Sequence, residues 1–454
     1  MRNTLSLLIA ALLAGPMVLP APAARADDLL QVYDVAVQSD PLLREAEQKL
    51  FATREVMPQA RALLLPNVAV QGAVDYSGVS YSGRSFSASN RSRRDSFSTQ
   101  NAQAVVKQLV YNRANWMTLK QTGDIIAQAE ALFRNSQIEL MVRTTESYFA
   151  VLQAADAVTV QEALVRADER QLEQSKQRFE VGLVAITDVN DSQAAFDRSK
   201  ANLIGAKRVL DNAWEALRVI VGPITVPVAR LGETLPLAPP EPNDVNVWAD
   251  SARRNNFGIL AATDAVASAK KQIEIEKSGW YPTVGLEAGY DVARSGAELN
   301  TDSNRGYVGL SVVVPIYQGG AVVSQTRQAG YNFRAAQDQL DQTRRLVEQQ
   351  VKDAFRGITS SIEDVKARQA AVVSARSSLE STQAGLEVGT RTQVDVLNAQ
   401  RQLFQAEYDY LSSRYTYIIN GVKLHQATST LTRDVLAKGN SWLNRGDTVP
   451  PPAY

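Results

Sequence analysis

Two stretches of this chain, from Asn112 to about Glu180 and from Gln318 to about Leu386, each run for roughly 69 residues without a proline. Within the second, Val347, Val351, Ala354, Ile358, Ile362 and Val365 step by three or four, the period of a helix. At 1.5 Å per residue each helix would extend roughly 100 Å, several times the thickness of a bilayer core. A helix of that length cannot fold its apolar stripe into a globule, so it requires coiled-coil-like neighbours along its whole course. Both runs end near a glycine, Gly182 or Gly389, after which helical patterning resumes. In the first half the returning helix is Ile186–Val221, about 54 Å long, and Pro41–Leu65 could add ~37 Å. Placed end to end, these two nearly match the long helix.

The two runs belong to an internal duplication. Glu180-Val181-Gly182 through Asp188-Val189 recurs as Glu387-Val388-Gly389 through Asp395-Val396, and Tyr111 and Phe149 recur as Tyr317 and Phe355. Leu65-Pro66-Asn67-Val68 likewise recurs as Tyr281-Pro282-Thr283-Val284. A Pro-rich stretch, 222–245, separates the copies and reads as an extended linker. The organisation expected is a first structural repeat at 27–221, the linker, a second repeat at 246–432, and a flexible tail at 433–454.

Ahead of each long helix the period changes from helical to alternating. Val284, Leu286, Ala288, Tyr290 and Val292 alternate with Thr283, Gly285, Glu287, Gly289 and Asp291, and Val308 through Ile316 does the same. The first half has a similar face in Val68, Val70, Val74 and Tyr76, and a weaker one in Ser98–Val110. Strands are therefore expected at about 67–78, 98–110, 283–293 and 306–316, each long enough to cross a bilayer when tilted. Polar residues fill the hairpin tips. The first tip is basic, with Arg84, Arg91, Arg93 and Arg94 against Asp95, and reads as a solvated loop or a contact for anionic lipid. Tyr76, Tyr290 and Tyr307 are candidates for an interfacial aromatic girdle.

Residues 1–26 read as a secretory signal peptide: Arg2, an apolar run from Leu5 to Leu19 broken by Gly15 and Pro16, and an Ala24-Arg25-Ala26 cleavage pattern. No later segment holds the ~18 apolar residues of a spanning helix, so any membrane insertion must use strands. Four strands cannot close into a barrel, an open edge cannot face lipid, and known membrane barrels have at least about eight. Identical copies must supply the remainder. Three would give twelve strands, although composition alone does not choose three.

Composition argues against most chemistry. Lys plus Arg and Asp plus Glu are both 48, so there is no basic excess for a nucleic-acid partner. Cysteine is absent, which excludes disulfides, thiolate metal sites and a lipidated N-terminal Cys. The one histidine, His425, reads as a surface or packing residue, leaving an outer-membrane hydrolase as a weak third reading. The second is a soluble periplasmic coiled-coil adaptor or structural protein, which accounts for the helices but not for bilayer-length strands.

The strings Phe179-Glu-Val-Gly-Leu-Val-Ala-Ile-Thr-Asp188-Val and Val388-Gly-Thr-Arg-Thr-Gln-Val-Asp395-Val-Leu-Asn398 resemble the paired turn motifs of the TolC family. Val314-Pro-Ile-Tyr-Gln-Gly-Gly320, followed by Tyr331-Asn-Phe333, is similar too, and the likeness covers essentially the whole mature chain. With no Cys to lipidate, the chain looks closer to the family's type member than to its lipid-anchored drug-efflux relatives. The resemblance implies a homotrimer in the outer membrane of a Gram-negative cell: a twelve-stranded transmembrane β-barrel continuous with a helical tunnel through the periplasm. It implies a periplasmic adaptor (membrane fusion) protein and an inner-membrane ABC or proton-driven transporter as partners, with no cofactor and no catalysed reaction. Proteins or small toxic molecules would be the cargo.

The candidate functional residues lie where the long helices reverse. Gly182 and Gly389 suit left-handed helix ends, and with Leu183 and Thr390 they form the turns expected to contact the adaptor. Thr187, Asp188, Thr392 and Asp395 lie near the starts of the returning helices, where an Asp can simply cap. The resemblance implies more: one Asp395 from each chain would form a carboxylate ring at the periplasmic entrance, a candidate cation site. The family's second ring position here is Asn398, which predicts weaker cation affinity. Arg391 and Asp188 resemble the pair that ties the inner helical hairpin to its neighbour in the closed state. Leu386 stands where the family has a latch Tyr, so one tie is missing.

Overall fold

The computed structural model describes residues 28–81, 93–223, 226–295 and 302–452. The expected signal peptide and the loop residues Arg84 and Arg91 lie outside the described residues. The described residues begin with three short helices, α1 (Leu29–Ser39), α2 (Pro41–Arg54) and α3 (Val56–Ala62), and enter a hairpin of β1 (Asn67–Tyr81) and β2 (Arg93–Tyr111). The chain then runs down α4 (Arg113–Glu180) and returns through α5 (Ile186–Val221). After β3 (Val228–Leu231) the same succession follows: α6 (Val245–Asn255), α7 (Phe257–Lys277), β4 (Thr283–Ser295), β5 (Asp302–Val313), α8 (Ala321–Glu387) and α9 (Gln393–Ala427). Helix α10 (Arg433–Asn440) and β6 (Leu443–Val449) close the chain.

The long runs are continuous helices of 68 and 67 residues. Asn112 caps α4 through its side chain, which accepts from the Asn115 amide at 3.3 Å. On α8, Val347, Val351, Ile358, Ile362 and Val365 are all buried, as their spacing requires. The upper half of α4 is flanked by α2, α3 and α7, while α5 pairs with it elsewhere; α8 pairs with α9, and α9 packs on α4. A continuous apolar core gathers where α1, α6, α10, the C-terminal parts of α5 and α9 and the middle of α4 and α8 meet, around Tyr148, Phe149, Trp214 and Tyr415. It extends along α4 no further than Ala155 among its buried members.

The four longer strands form one antiparallel sheet in the order β1-β2-β4-β5. Its register couples Val70 to Ala104, Ala104 to Tyr290 and Ala288 to Val308, so the even-numbered positions share a face. That face carries Val68, Val70, Val74, Tyr76, Leu286, Tyr290, Val308, Leu310 and Val312, all exposed. The opposite face carries Gln103, Lys107, Glu287, Asp291 and Tyr307. Tyr307 is thus not in a girdle with Tyr76 and Tyr290. It covers Gly289, where a Cβ would lie 2.6 Å from its ring carbon Cζ, and its hydroxyl donates to Glu287 at 2.8 Å.

Strand limits differ from the sequence reading. β1 and β2, at 15 and 19 residues, continue into the polar hairpin tip instead of stopping at 78 and 98. β5 starts at Asp302 and ends at Val313, not Ile316, because Pro315 has no amide to give the ladder and restricts Val314 before it. The C-terminal segment is not a loose tail. β6 pairs antiparallel with β3, which itself lies inside the supposed linker. Asn440 donates to Asp28 at 3.0 Å, Arg445 pairs with Asp28, and Arg433 holds Asp34 at 2.7 Å. These partners lie some 400 residues away in sequence, so no local pattern announced them.

Among the described residues no helix is long and apolar enough to cross a membrane.

Candidate functional site

Both long helices end in the same backbone motif. The Leu183 amide donates to the Arg178 carbonyl at 2.8 Å and the Gly182 amide to Phe179 at 2.9 Å. In the second hairpin the Thr390 amide reaches Gly385 at 2.8 Å and the Gly389 amide reaches Leu386 at 3.2 Å. Each is a Schellman closure whose C′ residue must be left-handed, and Gly182 and Gly389 both have φ of +77°. These closures leave Val181, Leu183 and Val388 more than two-thirds exposed at the extremities of the two hairpins.

The returning helices start differently. Thr392 and Asp395 form a reciprocal capping box at the head of α9. The Asp395 amide donates to the Thr392 hydroxyl oxygen at 3.2 Å, while the Thr392 amide and hydroxyl each donate to Asp395 Oδ2 at 2.9 Å. Those bonds, from the Thr392 backbone first and its side chain second, together with the Arg391 charge, hold the Asp395 carboxyl below the usual carboxylate range. Oδ1 takes no hydrogen bond among the described residues, so the cap occupies only one of the two oxygens. At the head of α5 the cap residue is Ala185, with no side-chain hydrogen bond. Asp188 is half-buried in the first turn there, where the helix dipole favours its charge, but it is not a cap. Thr187 beside it is exposed.

Arg391 is exposed and folds back over the end of α8, where a Cβ on Gly385 would lie 2.6 Å from Arg391 Cγ. The Gly385 carbonyl also accepts from the Arg391 amide at 3.1 Å and the Thr390 hydroxyl at 3.1 Å. The sequence reading passed over Gly385, which occupies the place that Arg178 has in the first turn. Leu386 is half-buried. Within the chain no ion pair joins Arg391 to Asp188 among the described residues. Asn398 is exposed one turn above Asp395 and accepts from Arg401 at 2.7 Å. Among the described residues no group of three or more His, Cys, Asp or Glu side chains is placed to hold a metal ion.

Sequence reasoning also missed polar contacts buried between the hairpins. Gln400 of α9 donates to Asp168 of α4 at 2.7 Å, and Gln393 donates to Ser192 of α5 at 3.3 Å. Ser192 in turn lies 3.0 Å from Ser175 of α4. The signal was present: 393 and 400, like 168 and 175, are seven residues apart, one coiled-coil repeat. Nearer the core, Asp156 accepts from Tyr415 at 2.5 Å and from Arg230 at 2.8 Å. His425 belongs to the packing. It is half-buried, sets its ring edge-on to Trp248 with centroids 5.4 Å apart, and places Nδ1 3.0 Å from the Thr430 hydroxyl. Burial, and then the Lys438 charge, push its pKa below the usual histidine value.

Known proteins resemble this chain in sequence and in fold. The family described as Outer membrane efflux protein matches residues 32–223 and 248–430. Outer membrane protein TolC of Escherichia coli (strain K12) is 36% identical, over 97% of this chain and 89% of that protein. Alkaline protease secretion protein AprF of Pseudomonas aeruginosa is 29% identical, over 87% of this chain and 83% of that protein. In structure, the outer membrane protein VceC of Vibrio cholerae superposes with a TM-score of 0.72 at 18% identity, covering 88% of this chain and 95% of that one.

Proposed function

The chain belongs to the outer membrane efflux protein family, and from that premise we propose that it is the exit duct of a tripartite efflux pump or a type I secretion system. One observation carries the reading beyond family membership. The sheet has bilayer-length strands, one exposed apolar face, and two outer strands, β1 and β5, with no partner on their far sides among the described residues. Lipid accepts the apolar face but not an open row of amides and carbonyls, so copies must join edge to edge. A homotrimer closes twelve strands, with the Glu287 and Tyr307 face turned to the lumen and the helices continuing roughly 100 Å into the periplasm. A soluble adaptor would leave that apolar face in water without a purpose.

The duct is delivered by a cleaved signal peptide at 1–26 and gated at the helical tips. There, Asp395 Oδ1 from each copy faces the axis and binds cations, while Arg391 of one hairpin ties to Asp188 of the next. The absence of a latch Tyr at 386 and of a second carboxylate at 398 makes the gate lighter than in relatives that hold both. The exposed Val181, Leu183, Gly182, Gly389 and Thr390 form the landing surface for a periplasmic adaptor, which brings an ABC or proton-driven transporter. The transporter selects the cargo, and the duct does no chemistry.

Purified protein cross-linked in detergent should run as a trimer rich in both helix and sheet, and should form discrete ion-conducting channels in planar bilayers. A soluble monomer without channel activity would overturn the reading.

A further inference from the structure

The segment between the repeats, expected to be a plain linker, is fastened to α9 as a strap. The Tyr417 hydroxyl donates to the Ala238 carbonyl at 3.0 Å and accepts from the Ala238 amide at 3.1 Å. Beside this attachment lies a cavity of about 350 Å³. Its lining includes Phe149 of α4, Ile358 of α8, Ile418 of α9, Trp248 of α6 and Trp442, which sits between α10 and β6. The Trp248 indole is fixed, because its Nε1–H donates to the Pro242 carbonyl of the strap at 2.8 Å.

Two helical glycines keep the cavity open. Gly421 of α9 and Gly439 of α10 both line it, and a Cβ on either would meet nothing within 4 Å. Neither has a left-handed backbone, and glycine inside a helix is less stable than alanine, so conformational freedom does not explain them. An apolar cavity of ~150 Å³ accepts one benzene ring. This one has more than twice that room, enough for two fused rings and a short polar appendage.

The polar groups on the lining are specific. Lys438 and Glu241 are exposed, one of each sign, and neither forms an ion pair or a side-chain hydrogen bond among the described residues. His425 supplies a third group. The Thr428 hydroxyl gives its proton to the Leu424 carbonyl at 3.1 Å. Thr430, 2.8 Å away, must then donate to Thr428 and accept from His425 Nδ1 at 3.0 Å. The neutral ring thus carries its proton on Nδ1, and Nε2, with no hydrogen bond among the described residues, is left as an acceptor. The ligand that complements this set has two aromatic rings, one carboxylate, one ammonium and one ring N–H.

We propose that the cavity is a binding site for a free aromatic amino acid of tryptophan size, with its rings beside Trp248 and Trp442, its carboxylate on Lys438, its ammonium on Glu241 and its ring N–H on His425 Nε2. These groups come from the strap, α9 and α10, so an occupant clamps three segments together. The site does not depend on the duct reading.

Equilibrium dialysis of tritiated L-tryptophan against the full-length protein in lipid nanodiscs, where no detergent competes for the cavity, tests this. One molecule should be retained per chain. Tryptamine, which lacks the carboxylate, and indole-3-propionate, which lacks the ammonium, should compete at least about tenfold less well, the effect of losing one charge-assisted bond. Lys438→Met should weaken tryptophan to the level of tryptamine, and Glu241→Gln to that of indole-3-propionate. Gly421→Leu fills the space with a better helix former, and should abolish binding while thermal melting stays at or above that of the parent. Absence of retained tryptophan overturns the site. Equal competition by all three compounds leaves an apolar hole only, and full binding by Gly421→Leu puts the ligand elsewhere; either result also overturns it.

Discussion

Asp395 and Thr392 hold each other through a reciprocal cap that uses only one carboxylate oxygen, leaving Oδ1 unbonded at the start of α9. Capping and cation binding are therefore compatible in one side chain.

That division predicts how the entrance responds to substitution and acid. Asp395→Asn keeps an oxygen for the cap and loses the charge, so divalent-cation block of the channel should vanish while the fold survives. Because Thr392 and Arg391 hold the carboxyl below its ordinary value of 3.8, the cap should persist at pH 5 and decline only as pH falls through the lowered folded value. The block should fade at higher pH than the cap, because like charges facing one another across the proposed ring oppose that lowering. Block titrated against pH in planar bilayers measures this, and persistent block in Asp395→Asn would move the site elsewhere.

Gly385 and Arg391 supply a second test. A methyl group at 385 would meet Arg391 Cγ at 2.6 Å and force the turn to shift. Gly385→Ala should therefore raise single-channel conductance much as Arg391→Ser does, with no further rise in the double variant. Unchanged conductance in Arg391→Ser would remove that residue from the gate.

Neighbouring residues on β1 face opposite media. Val74, 74% exposed on the apolar face, should cost about 2–4 kcal/mol when replaced by Arg near the bilayer midplane. Ala73→Arg points the same charge to the other face and should assemble almost normally. Yield of heat-resistant trimer in outer membranes distinguishes the two, and equal yields would mean that the faces are misassigned.

Burial pushes the Asp156 carboxyl up, while the Tyr415 hydrogen bond and the Arg230 charge draw it back. Removing Arg230 should raise it further. Arg230→Met is therefore expected to be most destabilised at neutral pH, where the carboxyl is ionised and its cation is gone. The deficit should shrink as pH falls through the raised folded value toward 3.8, because the neutral acid is tolerated in its place. Melting curves of the trimer from pH 8 to pH 5 give the slope, and a deficit that grew in acid would contradict the assignment.

What the sequence made legible was whatever a local pattern could encode. The long helices were visible from proline-free periodicity, and the turns from Gly182 and Gly389, whose left-handed backbone nothing else fits easily. Tyr307 was legible but misread. It falls out of phase with Val308, Leu310 and Val312, and that alternation already put it on the polar face. The β3–β6 pair could not be read, because its strands are short and more than two hundred residues apart. The role of Asp395 was split in advance between cap and ring, and only the geometry of its two oxygens shows that one does not exclude the other.

The bare rims at β1 and β5 have a genetic corollary. Where every wall of the pore is lent by a sister molecule, a subunit able to associate but unable to conduct ruins its companions as well as itself. With the three copies proposed, cells making sound and crippled subunits in equal amounts should retain only about one intact complex in eight, so such alleles should be dominant.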